Sequence, residues 1–360
     1  ISQERSFSVE GCSFNNALLE INLTALCSDG VQDTALAIVV ANNSFFNSSV
    51  LVSGDTSGCA RHGGLVVVGS NVLHNSSLLV VGVVLVNASL LIESNTFDAE
   101  FSSTPLFQRT ASLGNAAPSI RTFWATLFSD FVSTNSSTTH IKNNSIIVDG
   151  GSVEQESVDA YGFYIHGITM GSSSRFVTED NTATLEGFVG ARCFSVRGTA
   201  QFDQHALFSV LTNNFSSGWS SSLFAVEFAD VELLVQNSGS VVLDGNTLSA
   251  TYKSMKPANP LTLDAAGIVL RNSSVRITQN GSLCLRSSTI TVSTIRTGSF
   301  CSAIHVTETS SLDMDSTSFF VIEDSSLRAH APDAATGIRV LAKSVLINGR
   351  SQMTVRNVTA

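Results

Sequence analysis

Apolar and polar residues alternate along this chain in units too short for helices. Gly82 to Phe97 shows the unit: Gly-Val-Val-Leu-Val-Asn-Ala-Ser-Leu-Leu-Ile-Glu-Ser-Asn-Thr-Phe, two short apolar runs with a polar corner between them and an Asn corner after. Each run is three to five residues of β-branched or aromatic side chains at alternate positions, which predicts strands. No stretch with i, i+3, i+4 apolar spacing and caps competes with that reading.

The unit recurs. Ser89 to Phe97 aligns with Ala37 to Phe45, Leu65 to Leu73, Ser240 to Leu248 and Ser274 to Asn280. Ser6 to Phe14 places Cys12 at the Asn corner, and Ser318 to Ser325 places Asp324 there. Gly82 to Leu85 aligns with Gly162 to Ile165, Ala225 to Phe228, Gly267 to Leu270, Ala303 to Val306 and Gly337 to Val340. From 267 to 303 to 337 the steps are 36 and 34 residues, a solenoid-length period. Tight hairpin signals are scarce. Short strands, polar corners and a long period predict an all-β fold, a parallel β-helix solenoid of the pectin-lyase-like, right-handed type. It is expected to be a single array over 1–360 with an irregular excursion around 99–139.

The corner asparagines Asn43, Asn71, Asn95, Asn246 and Asn280 have two readings. An inward amide can donate to its copy on one neighbouring coil and accept from the other, about 4.8 Å away, so that buried amides are satisfied. Alternatively, Asn stands there because it tolerates a left-handed backbone. Both readings fit a coil.

Charged residues make up 13% of the chain and the net charge is −10 without runs, so no basic groove for nucleic acid is expected. The apolar run Leu78 to Val86 is far short of the ~20 residues of a membrane helix, so membrane contact is expected only through parts outside this sequence. The start at Ile1 and the end at Ala360, in mid-pattern, read as a piece of a longer chain.

Eleven N-glycosylation sequons occur, more than chance supplies. Asn22, Asn42, Asn47, Asn75, Asn87, Asn135, Asn143, Asn214, Asn272 and Asn357 are the acceptor candidates, Asn87 and Asn272 foremost. Asn280 carries the eleventh sequon but is expected to be bare if it points inward. Asn-x-Ser as plain corner chemistry is the competing explanation. Cys12 with Cys27, and Cys284 with Cys301, are spaced to staple neighbouring turns, although six cysteines permit fifteen pairings.

Three segments break the pattern: Ala99 to Thr139, with Phe123, Trp124, Phe128 and Phe131; Ser195 to Ser222; and Thr251 to Pro260, the basic loop with Lys253 and Lys256. Excursions of a solenoid often form its binding face, and aromatic residues also fill irregular cores.

Parallel β-helices include polysaccharide lyases and hydrolases, and such hydrolysis needs two carboxylates on neighbouring strands or coils. Asp313 and Asp315, two apart on one strand, are the available pair, more simply read as a polar outward face. Histidines and cysteines show no metal-ligand spacing and no cofactor motif occurs, so no metal or cofactor is expected. Gly-x-Ser-x-Gly is absent.

The stretches Asn42 to Val52, Asn87 to Phe97 and Gly267 to Leu283 resemble the dispersed gene family proteins of trypanosomes, very large surface glycoproteins. The resemblance implies a non-enzymatic repeat region, displayed on the cell surface or secreted and glycosylated. It also implies adhesion to host extracellular-matrix or cell-surface ligands. The alternative is a carbohydrate-active β-helix enzyme, a lyase or hydrolase, or a glycan-binding relative.

Overall fold

The computed structural model describes residues 5–23, 36–54, 60–61, 64–100, 121–150, 158–187, 190–218, 222–252, 263–295, 300–332 and 334–359. Within them the chain is a parallel β-helix. Strands from Arg5–Glu10 to Gln352–Arg356 stack as an eleven-stranded first sheet. Those from Ser13–Asn15 to Ser326–His330 form a ten-stranded second sheet. A fifteen-stranded third sheet begins at Leu18–Asn22 and carries the longest strands, Arg121–Thr134, Val158–Met170, Gly190–Phe202 and Ser222–Val235. Each coil visits the three sheets in turn. Successive coils pair in parallel, so Phe176 lies beside Phe208 and Phe208 beside Val241. At about 4.8 Å per step, the eleven strands of the first sheet span roughly 48 Å.

Burial follows the alternation expected of a sheet with one wet face. Ser89–Glu93 and Ser240–Asp244 alternate half-buried and buried, with Leu90, Ile92, Val241 and Leu243 inside. Midway along the rod the filling is aromatic: Phe176 stacks on Phe208 at 5.2 Å, and Phe163, Phe194 and Phe215 pack nearby at 6.1–6.3 Å. Arg121–Thr134, expected as part of an excursion, is a regular strand that buries Phe123, Phe128 and Phe131. Residues 195–218 are regular apart from a register shift between Val196 and Gly198, and supply Leu207–Leu211 and Asn214–Gly218 in register with their neighbours. Lys253–Lys256, Trp219 and residues 101–120 lie outside the described residues.

The first-to-second-sheet corner is a four-residue device. A left-handed residue is followed by a buried polar residue, an outward residue and a core residue, as in Ser94-Asn95-Thr96-Phe97. The buried residues are Asn43, Asn71, Asn95, Asn144, Asn181, Asn213 and Asn246, each 1% exposed. In each pair along this column the Nδ2 donates to the next Oδ1 at 2.9–3.2 Å, from Asn43→Asn71 through Asn213→Asn246. Each Nδ2 also donates back to a carbonyl of the preceding coil, as Asn95 does to Val68 at 2.9 Å. Beyond Asn246 the position passes to Ser288 and Ser325. The left-handed residue is the one before, so the buried Asn serves the amide column and not the turn.

Two assignments change. Asn280 is exposed and left-handed, at a corner leading into the first sheet, because Ser274–Ile277 pairs within the third sheet and not the first. The 318–325 alignment slips by one residue: Phe319 pairs with Ser282, so Ser325, not Asp324, holds the buried corner. Gly82 also differs from Gly162. It sits at the bend of the third sheet, where its φ of 63° favours glycine, while Gly162 lies within a strand.

Candidate ligand-binding face

The outward face of the third sheet carries a cluster of charged side chains around Glu227. Its in-register columns explain why. Trp124, Tyr161, Arg192, Phe224 and Ala266 occupy one column. Leu127, Tyr164, Ser195, Glu227, Val269 and His305 occupy the next outward column, three residues further along each strand. Residues tens of positions apart thus become neighbours at the inter-strand spacing.

Glu227 is the centre and is fully buried. Its Oε2 accepts from Ser195 Oγ at 3.0 Å and from Arg197 Nη2 at 3.2 Å, and its Oε1 accepts from Arg271 Nη2 at 3.0 Å. Arg192 Nε lies 3.1 Å from Oε2, and Arg192 Nη1 lies 3.1 Å from Asp159 Oδ1. Burial alone raises a carboxyl's pKa, but Arg192, Arg197 and Arg271 outweigh it and hold Glu227 below its usual range, hence ionised. Burial also works against the charge on Arg192, and Glu227, Tyr161 and Asp159 more than offset it. Tyr161 lies under the Arg192 and Arg197 guanidiniums at 5.2 and 5.8 Å, and burial pushes its hydroxyl up to about 12.

One edge of this cluster is accessible. Arg271 and Asp230 side chains are 40% and 52% exposed. Tyr164 is half-buried, meets Trp124 at 6.0 Å, and lies parallel to exposed His166 at 6.4 Å. Asp230 accepts from Asn272 Nδ2 at 2.8 Å and lies 3.8 Å from Arg197. The arrangement is a flat aromatic pair beside fixed guanidiniums, with each acid nearby engaged by a donor.

The residues singled out from sequence fall elsewhere. Asp313 is half-buried on Ser311–Met314, 3.9 Å from Arg276. Asp315 lies beyond that strand, and its Oδ1 accepts from the Ser316 N–H at 2.6 Å, so the two do not share a strand face. Of the sequon residues, Asn42, Asn87, Asn135, Asn143, Asn272, Asn280 and Asn357 are exposed at left-handed corners, and Asn47 and Asn75 are half-buried at such corners. Asn22 and Asn214 are exposed on strands. Cys12, at the corner between Arg5–Glu10 and Ser13–Asn15, and Cys284 are free thiols; Cys284 and Cys301 belong to strands of the first and third sheets, and the suggested staple between them is not formed. Cys27 lies outside the described residues. The cluster itself was half visible: Gly162 to Ile165 and Ala225 to Phe228 align, which sets Tyr164 and Glu227 in one column. Arg192 and Arg197 sit in Gly190–Phe202, whose local pattern does not display the repeat.

No protein-family model and no curated protein matches the chain. Among solved structures it is similar to the crystal structure of a tailspike protein, gp49 of Acinetobacter baumannii bacteriophage Fri1, described as a capsular polysaccharide depolymerase. Identity is 14%, over 78% of this chain and 57% of that one, with a TM-score of 0.19. These comparisons lend no support to the likeness to the trypanosome surface family.

Proposed function

We propose that this β-helix binds glycans on the outward face of its third sheet without cleaving them. The observation that carries the reading is the Tyr164–His166 pair set beside Arg197, Arg271 and Asp230 on one accessible edge. Flat rings offer a stacking surface for sugar faces, and fixed ionised groups orient hydroxyls. Turnover is disfavoured because hydrolysis needs one carboxyl that stays protonated and a second that is free. Glu227 is held ionised by three arginines, and Asp159 and Asp230 each have a basic or amide partner. Location at the cell surface or outside the cell is part of the same proposal, and exposed sequon residues such as Asn87 and Asn135 are open to a glycan there.

The test is a glycan array run beside a reducing-sugar release assay. Expected are retained glycans, no released ends, and a loss of about tenfold in affinity for Tyr164→Ala, from the stacking contribution alone. Release of reducing ends by the purified chain would replace binding with catalysis, and an array without any signal would remove the glycan reading.

A further inference from the structure

Among the described residues, several buried hydrogen-bond donors on the third sheet's outward face lack an aligned acceptor. Trp124 Nε1, Arg197 Nε, and Arg192 Nε and Nη1 are all buried without a hydrogen-bond partner. The two Arg192 atoms are close to Glu227 and Asp159 but badly aligned with them. Arg192 is 5% exposed, so these donors are cut off from bulk solvent. Buried donors left over in this way stand where an acceptor is to be supplied. On the accessible side, Arg271 commits Nη2 to Glu227 and keeps the rest of its fork. Asp230, the acid nearest these arginines on that edge, reaches Arg197 only at 3.8 Å and is already engaged by Asn272. Asp130 lies against Gly167, where a Cβ would come within 3.2 Å of its Oδ1, and its Oδ2 accepts from Ser129.

We infer that the glycan taken by this face is acidic, its carboxylate held between Arg197 and Arg271 while its ring rests on Tyr164. The inference depends on the proposed glycan binding and adds the class of sugar. A carboxylate matches a guanidinium fork in two parallel hydrogen bonds, which a hydroxyl does not. Glu227 gives the forks their rigidity: pinned from below, Arg197 and Arg271 are already oriented before a ligand arrives.

The experiment uses an array of uronate- and sialate-containing oligosaccharides beside the same compounds as methyl esters, with the unaltered protein. Acid forms are expected to bind about tenfold or more above their esters, as a charge-assisted pair implies, with the gap shrinking as salt rises. Arg271→Gln is expected to close the gap while leaving Glu227 with two arginine partners, and its far-ultraviolet circular dichroism checks that the helix is intact. Esters binding as well as acids, or a gap that survives both Arg271→Gln and Arg197→Gln, overturns the acidic assignment and leaves glycan binding standing. Silence from acids, esters and neutral glycans alike removes the binding face itself.

Discussion

At the scale of single residues, the buried corner column is the most demanding part of the chain. Each interior Asn is both donor and acceptor, so removing one strands partners on both sides. Asn95→Ala leaves Asn71 Nδ2 without its acceptor and takes a donor from Asn144 Oδ1 and from the Val68 carbonyl. At about 1–3 kcal/mol for each buried group left unpaired, a loss of more than about 2 kcal/mol is expected in chemical denaturation. Asn95→Ser should cost less, because Ser288 already holds this position two coils past Asn213. Equal losses for Ala and Ser would show that the amide column contributes nothing beyond filling space. The same corner explains some of the sequons. Two residues after a buried Asn comes a core residue such as Phe45, Phe97 or Leu248, so no sequon is possible there. Two residues after the left-handed position comes an outward one, often Ser or Thr, so an Asn in that place completes the motif. Corner chemistry therefore accounts for sequons such as Asn42 and Asn143, and use of the sites is a separate matter settled by peptide mapping.

Among the elements, the third sheet has two strand glycines where neighbouring coils approach closely. Gly162 and Gly267 lie at one register between the inward and outward columns. A Cβ on Gly267 would lie 2.0 Å from Ile290 Cγ2 and 2.8 Å from the Ala303 carbonyl. On Gly162 it would meet the Cys193 carbonyl at 2.6 Å. The side chain of Ile290 has some room to turn, but a backbone carbonyl within a sheet does not. Gly267→Ala is expected to cost about 1–3 kcal/mol by overpacking, read as a lowered thermal midpoint. An unchanged midpoint would mean that the strand shifts freely at this register. Gly82 and Gly167 serve another end: they hold the left-handed bend that divides the third sheet, where Asp130, Asp230 and Asn272 also stand. That bend sets the edge on which Arg197, Arg271 and Asp230 become accessible.

For the molecule as a whole, stability is expected to be a sum over coils and their contacts, as in other solenoids. The Glu227 cluster is an exception, since it ties together Asp159, Arg192, Arg197, Glu227 and Arg271 from four successive coils. Its glutamate has a folded pKa below its unfolded value, so its contribution is full above the unfolded pKa and fades as pH falls through the folded one. The thermal midpoint of the unaltered chain should therefore drop below about pH 4, the ordinary carboxylate range. Glu227→Gln removes the charge at every pH and is expected to cost about 3–5 kcal/mol at pH 7, because three guanidiniums lose their counterion. Its own acid-side slope should be shallower; the same slope in both proteins would place the acid sensitivity elsewhere. By itself the sequence determined the all-β class, the parallel coil, and the corner Asn43, Asn71, Asn95 and Asn246, because strand alternation and corner polarity are local and repeat visibly. It misplaced Asn280 and Ser325, since a slip of one residue in a strand, or the wrong sheet, leaves the local pattern looking the same. Only the tertiary structure decided the binding face: Arg192, Arg197, Glu227 and Arg271 are an ordinary scatter of charges along the chain, and become a cluster only when unequal coil lengths bring them into adjoining columns of one sheet.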